Sequence, residues 1–250
     1  MNRILLTTCI TAILTGCTSS VVRPSFDYAA TSLGVYNSGL LNVGQLFVWD
    51  TETSTLTRLD EVPFPPAPTT RTNPTTLHAS NISSLSFTAG IDSTVKANAS
   101  AAIKENLSIR VQNGSREEYL NTIGLLATEI NRRKAANEDV DRSWLLSQAA
   151  QQGSSLRYIL VRGLVTSDKA ELMAQNSSGA ELSLIVPGGK GGTTKIDLSG
   201  EALASCSGSR SPCFLSLQVF QAYINESGNY DFEPVRGVAT SQIADLLKSL

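Results

Sequence analysis

Histidine is almost absent from this chain of 250 residues, in which His78 is the single example. A hydrolase built on serine, histidine and an acid would have to use it, because histidine is the usual base near neutral pH. His78 lies in a stretch rich in threonine and proline, and no GxSxG nucleophile motif occurs in the chain. We therefore expect a protein that is not an enzyme, and we place a hydrolase using His78 last among the alternatives.

The chain also lacks the patterns that bind metals, nucleotides or nucleic acids. No CxxC pair or second histidine is present to complete a zinc site. The glycine-rich run at 188–194 departs from the GxxxxGK[ST] spacing of a phosphate-binding loop, and we interpret it as a hairpin tip. A net charge of −2 provides no attraction for nucleic acid. We expect no cofactor, no metal ion, no nucleotide and no nucleic-acid partner.

The N-terminus carries the most specific motif of the chain. A positive residue and an apolar run at 4–14 precede the sequence Leu14-Thr15-Gly16-Cys17. The run is too short to cross a membrane, which takes roughly 20 apolar residues. The motif resembles the lipobox of bacterial lipoproteins. That resemblance implies a signal peptide that is cleaved after Gly16 and a lipid that is attached to Cys17.

The same resemblance implies where the protein is located. Acyl chains such as palmitate on Cys17 would anchor the mature protein, since each buried methylene contributes about 0.8 kcal/mol. The residue after the cysteine is Thr18 and not an aspartate. In enterobacteria-like lipoproteins that pattern implies export to the outer membrane. We expect a lipid-anchored protein of the bacterial cell envelope that faces the periplasm. Its partners would be membrane lipid and other envelope proteins.

Two cysteines remain once the signal peptide and the lipid site are set aside. Cys206 and Cys213 enclose a turn-forming loop rich in serine and glycine. In an exported protein an even number of remaining cysteines predicts a disulfide. A bridge between these two residues would stabilise the fold by about 2–3 kcal/mol.

Composition divides the mature chain into three parts. The first, 17–61, contains a tether and a hairpin with strands at 45–50 and 55–59. The second, 62–80, contains prolines among threonines and is interpreted as a linker or an extended surface arm, because proline cannot donate to a strand ladder. The third, 81–250, is the main domain.

The main domain begins with an unusual amphipathic segment at 85–111. Apolar and polar residues alternate across it for about twice the length of a typical strand. Helical spacing competes in its middle, where Ile91, Val95, Ala99 and Ile103 lie four apart and alanine favours a helix. We predict strands at both ends and leave the middle open between strand and helix. The segment would pack on a core as a hairpin or would insert into a membrane.

Helices and a meander are predicted after this segment. Ser115 and Glu118 match a capping box and predict a helix that reaches Ile130 and its basic end. A second helix is predicted from Asp139 to Gln152. Further predictions are a central strand at 156–165, strands at 182–186, 196–198 and 215–223, a turn at 225–229 and a short helix at 240–250.

Together these patterns predict an α+β fold, with an antiparallel sheet, two or three packed helices and a lipid tether at the N-terminus. The leading interpretation of function is a non-catalytic interaction or assembly module of the cell envelope. One alternative is an oligomeric pore or export subunit that inserts the segment 85–111. The other is a periplasmic hydrolase that uses His78.

Overall fold

The computed structural model describes residues 20–39, 41–64, 69–87, 93–174, 183–187, 193–197 and 206–250. The predicted signal peptide at 1–16 and Cys17 lie outside the described residues, and so does most of the predicted glycine-rich hairpin tip.

Fifteen strands and five helices are present in the described ranges. The strands are β1 Ser20–Val22, β2 Pro24–Ser25, β3 Ala30–Thr31, β4 Gly34–Tyr36, β5 Gln45–Asp50, β6 Thr55–Glu61, β7 Thr69–Arg71, β8 Thr75–Ala79, β9 Ser86–Phe87, β10 Leu107–Tyr119, β11 Leu156–Ala174, β12 Ser183–Pro187, β13 Thr193–Asp197, β14 Ser207–Ile224 and β15 Tyr230–Pro234. The helices are α1 Ser93–Asn106, α2 Thr122–Ala135, α3 Val140–Trp144, α4 Leu146–Ala149 and α5 Thr240–Leu247.

Ten strands form one large antiparallel sheet around β11. The main path runs β3-β4-β14-β11-β10-β7, with β5, β6, β8 and β15 attached to its members. β14 pairs along one edge of β11, while β5 and β10 pair in succession along the other. β11 buries Tyr158, Ile159, Leu160 and Val161 in a row, which confirms the prediction of a central strand that is apolar on both faces.

A second sheet of three strands packs against α1. Its order is β1-β13-β12, with β1 parallel and β12 antiparallel to β13. Val95, Ala99 and Ile103 of α1 share a core cluster with Val186 and Ile196 of this sheet. The helical alternative for the middle of 85–111 is therefore confirmed, and β9 and β10 confirm that both ends contain strands.

The predicted helix start at Ser115 is wrong. Ser115 and Glu118 lie in β10, opposite Thr166 and Gly163 of β11. Ladder bonds to neighbouring strands satisfy the backbone here, so the local capping pattern does not decide the structure. The helix begins instead at Thr122, after Asn121, whose side-chain oxygen accepts a hydrogen bond from the Gly124 N–H at 3.2 Å.

The predicted helix from Asp139 to Gln152 is present as two short helices. Leu145 has a left-handed backbone, with φ of 56°, and separates α3 from α4. Val140 and Trp144 are buried. The split lets both short helices keep their apolar side chains on the same core cluster, which also contains Leu126 and Ile130 of α2.

The predicted linker at 62–80 contributes two strands to the large sheet. β7 and β8 pair one after the other with β10, and Pro74 lies between them. Proline is tolerated there because position 74 belongs to neither strand, so the missing N–H removes no bond from the ladder. Residues 69–71 and 75–79 are therefore extended strands of the sheet, and the division into domains stays a prediction.

The mixed class and the antiparallel sheet are confirmed. The described part of the chain has five helices where two or three were expected, because the middle of 85–111 is helical and the second predicted helix is split. The predicted hairpin β5–β6, the strands β12–β14, the turn after β14 and the C-terminal helix are also present. The predicted helix at 240–250 ends at Leu247, and Leu250 beyond it is 55% exposed. Within the described ranges, no helix combines the length and the apolar character that crossing a bilayer requires.

Candidate functional site

A polar cleft of about 430 Å³ opens on one face of the large sheet. β10, β11 and β14 form its floor. The turn between β3 and β4 and the segment that leads into α5 form its walls. Its charged and polar centre consists of Glu118, Arg162, Ser216 and Arg116, and we call this region the Glu118 cleft.

Strand register brings three of these side chains together. Glu118 of β10 is opposite Gly163 of β11, and Gly163 is in turn opposite Ser216 of β14. Directly opposite residues of antiparallel strands share a face of the sheet. The pairing of β11 with β14 shifts between Val161 and Gly163, so Arg162 is an extra, bulged residue. A bulge re-aims the side chain it carries, and here the guanidinium reaches Ser216.

Hydrogen bonds link the three side chains across the three strands. The Ser216 hydroxyl donates to Oε1 of Glu118. Nε of Arg162 donates to Oγ of Ser216 at 3.3 Å, and Nη2 of Arg162 lies 3.6 Å from Oε1 of Glu118. The side chains of Glu118 and Arg162 are 17% and 31% exposed, so the pair is partly shielded from water. These contacts connect side chains of β10, β11 and β14 across the floor of the cleft.

The geometry of the cleft suits binding better than hydrolysis. The Ser216 hydroxyl donates its hydrogen bond to a carboxylate, which is a much weaker base than the imidazole of a catalytic triad. His78 lies on β8 opposite Arg110, which is eight residues from Glu118 along β10, or about 26 Å of strand. The structure does not bring the predicted candidate His78 to a serine of this cleft.

The charge of the cleft favours a polar ligand with an anionic group. Arg116 and Arg162 line it together with a single carboxylate, Glu118. Guanidinium groups present a planar set of donors that matches carboxylate and phosphate oxygens. Gln218 adds an amide at one side, where its Oε1 accepts a hydrogen bond from Thr122 Oγ1 at 2.9 Å.

A second, smaller polar pocket of about 340 Å³ lies where β10, β11 and β14 meet farther along the sheet. Asp168 is its acid. The side chain of Asn113 donates to it at 2.9 Å and the backbone N–H of Arg210 at 3.3 Å. These bonds hold the pKa of Asp168 below its usual range, the Asn113 bond having the larger effect. Because the Asp168 carboxylate of β11 already accepts hydrogen bonds from β10 and β14, we interpret this pocket as structural.

The predicted disulfide between Cys206 and Cys213 is confirmed, with 5.5 Å between the two Cα atoms. Both cysteines are buried, and the carbonyl oxygen of Cys206 accepts a hydrogen bond from the Ala170 N–H at 3.1 Å. The other predicted site residue, Cys17, lies outside the described ranges. Among the described residues, no group of three or more histidine, cysteine, aspartate or glutamate side chains is placed to hold a metal ion.

The sequence reasoning missed the Glu118 cleft. The capping-box pattern predicts a helix at Glu118, whereas the structure places this residue on β10. Ser216 and Gln218 alternate with the apolar residues Leu215, Leu217 and Val219, so their position on one face of a predicted strand was available as a signal. The bulge at Arg162 had no comparable signal.

Comparisons with known proteins assign no family to this chain. No protein-family model and no curated protein matches the chain. Among solved structures, the chain is similar to a bacterial gasdermin from Bradyrhizobium tropiciagri, with 9% sequence identity, coverage of 84% of this chain and 87% of that chain, and a TM-score of 0.34. A similarity at this level carries no argument about function.

Proposed function

We propose that this chain is a lipid-anchored, non-catalytic interaction module of the bacterial cell envelope. The observation that carries the proposal is the short distance along the chain between the lipobox cysteine and the folded body. Cys17 precedes Ser20 by three residues, and Ser20 already pairs with Thr194 of β13. An extended chain spans at most about 3.6 Å per residue, so Ser20 lies within about 11 Å of the acylated residue. The anchor would hold the body directly at the membrane.

The Glu118 cleft is the binding site that we propose for this module. Its partner would be an envelope component that presents a carboxylate or phosphate to Arg116 and Arg162 and a donor to Glu118. Support comes from the hydrogen bonds that hold Arg162 and Glu118 in place before any ligand arrives. Preorganisation of this kind lowers the entropy that binding must overcome.

Membrane fractionation tests the anchor. Protein expressed with its own signal peptide is compared with Cys17→Ala, and each membrane fraction is extracted with high salt and then with detergent. We expect wild type to need detergent and Cys17→Ala to be released without it. Cys9→Ala is the matched control, because the proposal places Cys9 in the cleaved signal peptide, and it should behave as wild type. A Cys17→Ala protein that still needs detergent would contradict the proposal.

Cross-linking in cells tests the cleft. A photoreactive amino acid at Leu217, which lines the cleft, is compared with the same residue at Leu120, which is 66% exposed at the end of β10. We expect a discrete cross-linked product from position 217 alone, and its loss when Arg162→Glu reverses the charge of the cleft. Equal products at both positions, or a product indifferent to Arg162→Glu, would rule out the cleft as the binding site.

A pore or export subunit that inserts the segment 85–111 is the second candidate. The observation in its favour is that α1 buries Val95, Ala99 and Ile103 at helical spacing, while the alternation of apolar and polar residues also continues through the helix. Insertion would require these residues to leave the core, where they are at most 4% exposed. Dye release from vesicles, with protection of 85–111 from protease, would favour this function. Absence of release at every ratio of protein to lipid would exclude it.

A further inference from the structure

The outer face of the three-stranded sheet exposes a large apolar side chain. Ile185 of β12 is 72% exposed, the highest value among the exposed large hydrophobic side chains of the described residues. The next residue, Val186, is 3% exposed and lies in the core cluster with Ile196. Successive side chains of a strand point to opposite faces, so Ile185 points away from α1 and the core.

A lysine lies beside this isoleucine on the same face. Ile185 is directly opposite Lys195 of β13, which is also exposed, and Lys195 is in register with Val21 of β1. An apolar side chain next to a lysine is the arrangement that suits the boundary between acyl chains and headgroups. The apolar group enters the boundary while the lysine keeps its ammonium among phosphates.

The anchor would lie near this face. β1 begins three residues after Cys17 and belongs to the same sheet as β12 and β13. Two strand spacings of about 4.8 Å separate β1 from β12, and the tether adds at most about 11 Å. Ile185 is thus placed within about 20 Å of the acylated residue.

We propose that the outer face of β12 and β13, with Ile185 and Lys195, rests on the membrane in which Cys17 is anchored. The inference depends on the proposed lipidation of Cys17. The partner of this face is a bilayer surface, with Ile185 in the lipid interface and Lys195 among anionic headgroups.

A fluorescent label tests this orientation in the full-length, acylated protein. Ile185→Cys provides a free thiol, because Cys17 would be acylated and Cys206 is bonded to Cys213. The protein carries an environment-sensitive dye and is reconstituted into vesicles of phosphatidylethanolamine and phosphatidylglycerol. We expect a blue shift with about a twofold gain in emission, and quenching by lipids that carry a nitroxide. Ile224→Cys, at a position 57% exposed at the end of β14, is the matched control and should show neither change.

The outcomes separate the orientation from the anchor. Mass analysis of the N-terminal peptide reports acylation of Cys17 independently, so a missing lipid refutes the proposed function itself. An acylated protein whose label at 185 behaves like the label at 224 refutes the orientation alone. Equal shifts at both positions would also overturn it, because they indicate contact over the whole body. Lys195→Glu should reduce the shift at 185 in anionic vesicles and leave it unchanged in zwitterionic ones.

Discussion

Gly163 of β11 lies directly under Glu118 of β10, with no room for a side chain between them. A Cβ atom on Gly163 would be 2.6 Å from Cγ of Glu118 and 2.4 Å from the carbonyl oxygen of Glu117. Glu118 can therefore pass over β11 and accept the hydrogen bond of Ser216 on the next strand. Because Gly163 has no side chain, the carboxylate of Glu118 on β10 can reach Ser216 on β14 across β11.

Gly163→Ala should destabilise the protein and disrupt the cleft. We expect a loss of about 1–3 kcal/mol in the free energy of unfolding, the usual cost of forcing an extra methyl group into a packed site. Urea unfolding measures it. In a Glu118→Ala background the cost should fall but persist, because the carbonyl oxygen of Glu117 still obstructs the methyl group. If Gly163→Ala left the free energy of unfolding unchanged in both backgrounds, the prediction would be wrong, because the strands would then separate easily enough to admit the methyl group.

Ser216→Ala tests the bridging hydroxyl. The substitution removes the donor to Glu118 and the acceptor of Arg162 and leaves both charges partly shielded from water. We expect a loss of about 1–2 kcal/mol in the free energy of unfolding. Ser209→Ala on the same strand is the matched control, since Ser209 is exposed and should change stability by less than about 0.5 kcal/mol. If the two substitutions changed the free energy of unfolding equally, the Ser216 hydroxyl would not stabilise the fold.

Glu129 of α2 makes the protein sensitive to acid. Its side chain is 3% exposed and accepts hydrogen bonds from Arg132 at 2.7 and 2.8 Å and from Arg133 at 2.6 Å. The hydrogen bonds from Arg132 have the largest effect and hold the pKa of Glu129 below its usual range. The single hydrogen bond from Arg133 lowers this pKa further. A lowered pKa in the folded state adds stability above about pH 4.3, the ordinary value for glutamate, and this stability is lost as the pH falls below it.

Glu129→Gln should flatten that pH dependence. We expect the free energy of unfolding, measured in urea between pH 7 and pH 3, to fall less steeply at the acid end than in wild type. At pH 7 the variant should be less stable by about 1–3 kcal/mol. Glu138→Gln is the matched control, because this carboxylate is 45% exposed and lies 3.4 Å from Arg133. It should change stability at pH 7 by less than about 0.5 kcal/mol. Parallel pH profiles for wild type and Glu129→Gln would refute the prediction.

Elements with a strong pattern of their own could be predicted from the sequence. The four buried residues from Tyr158 to Val161 identify the central strand without any knowledge of its neighbours. The same holds for the hairpin β5–β6 and for α5, whose apolar residues follow the helical period. Ser115 and Glu118 show the limit of local patterns, since their capping signature lies inside a strand that two neighbours pair with.

The Glu118 cleft depends on relationships that one segment of sequence does not contain. Glu118 and Ser216 are 98 residues apart in the chain and meet only through the register of two strand pairs. Arg162 joins them because a single extra residue in β11 re-aims its side chain. Register and bulges are set by tertiary packing, so the residue types alone gave no basis for placing these three together.

Reduction of the Cys206–Cys213 bridge should weaken the end of the sheet where β14 begins. The bridge spans seven positions, and closing so short a loop is worth about 2–3 kcal/mol. Since the Ala170 N–H donates to the carbonyl oxygen of Cys206, hydrogen exchange should rise first in that part of β11. Urea unfolding with and without dithiothreitol measures the loss, and the double substitution Cys206→Ala and Cys213→Ala, indifferent to the reductant, is the control. Stability that dithiothreitol leaves unchanged in wild type would contradict the prediction, because the bridge would then add nothing to the fold.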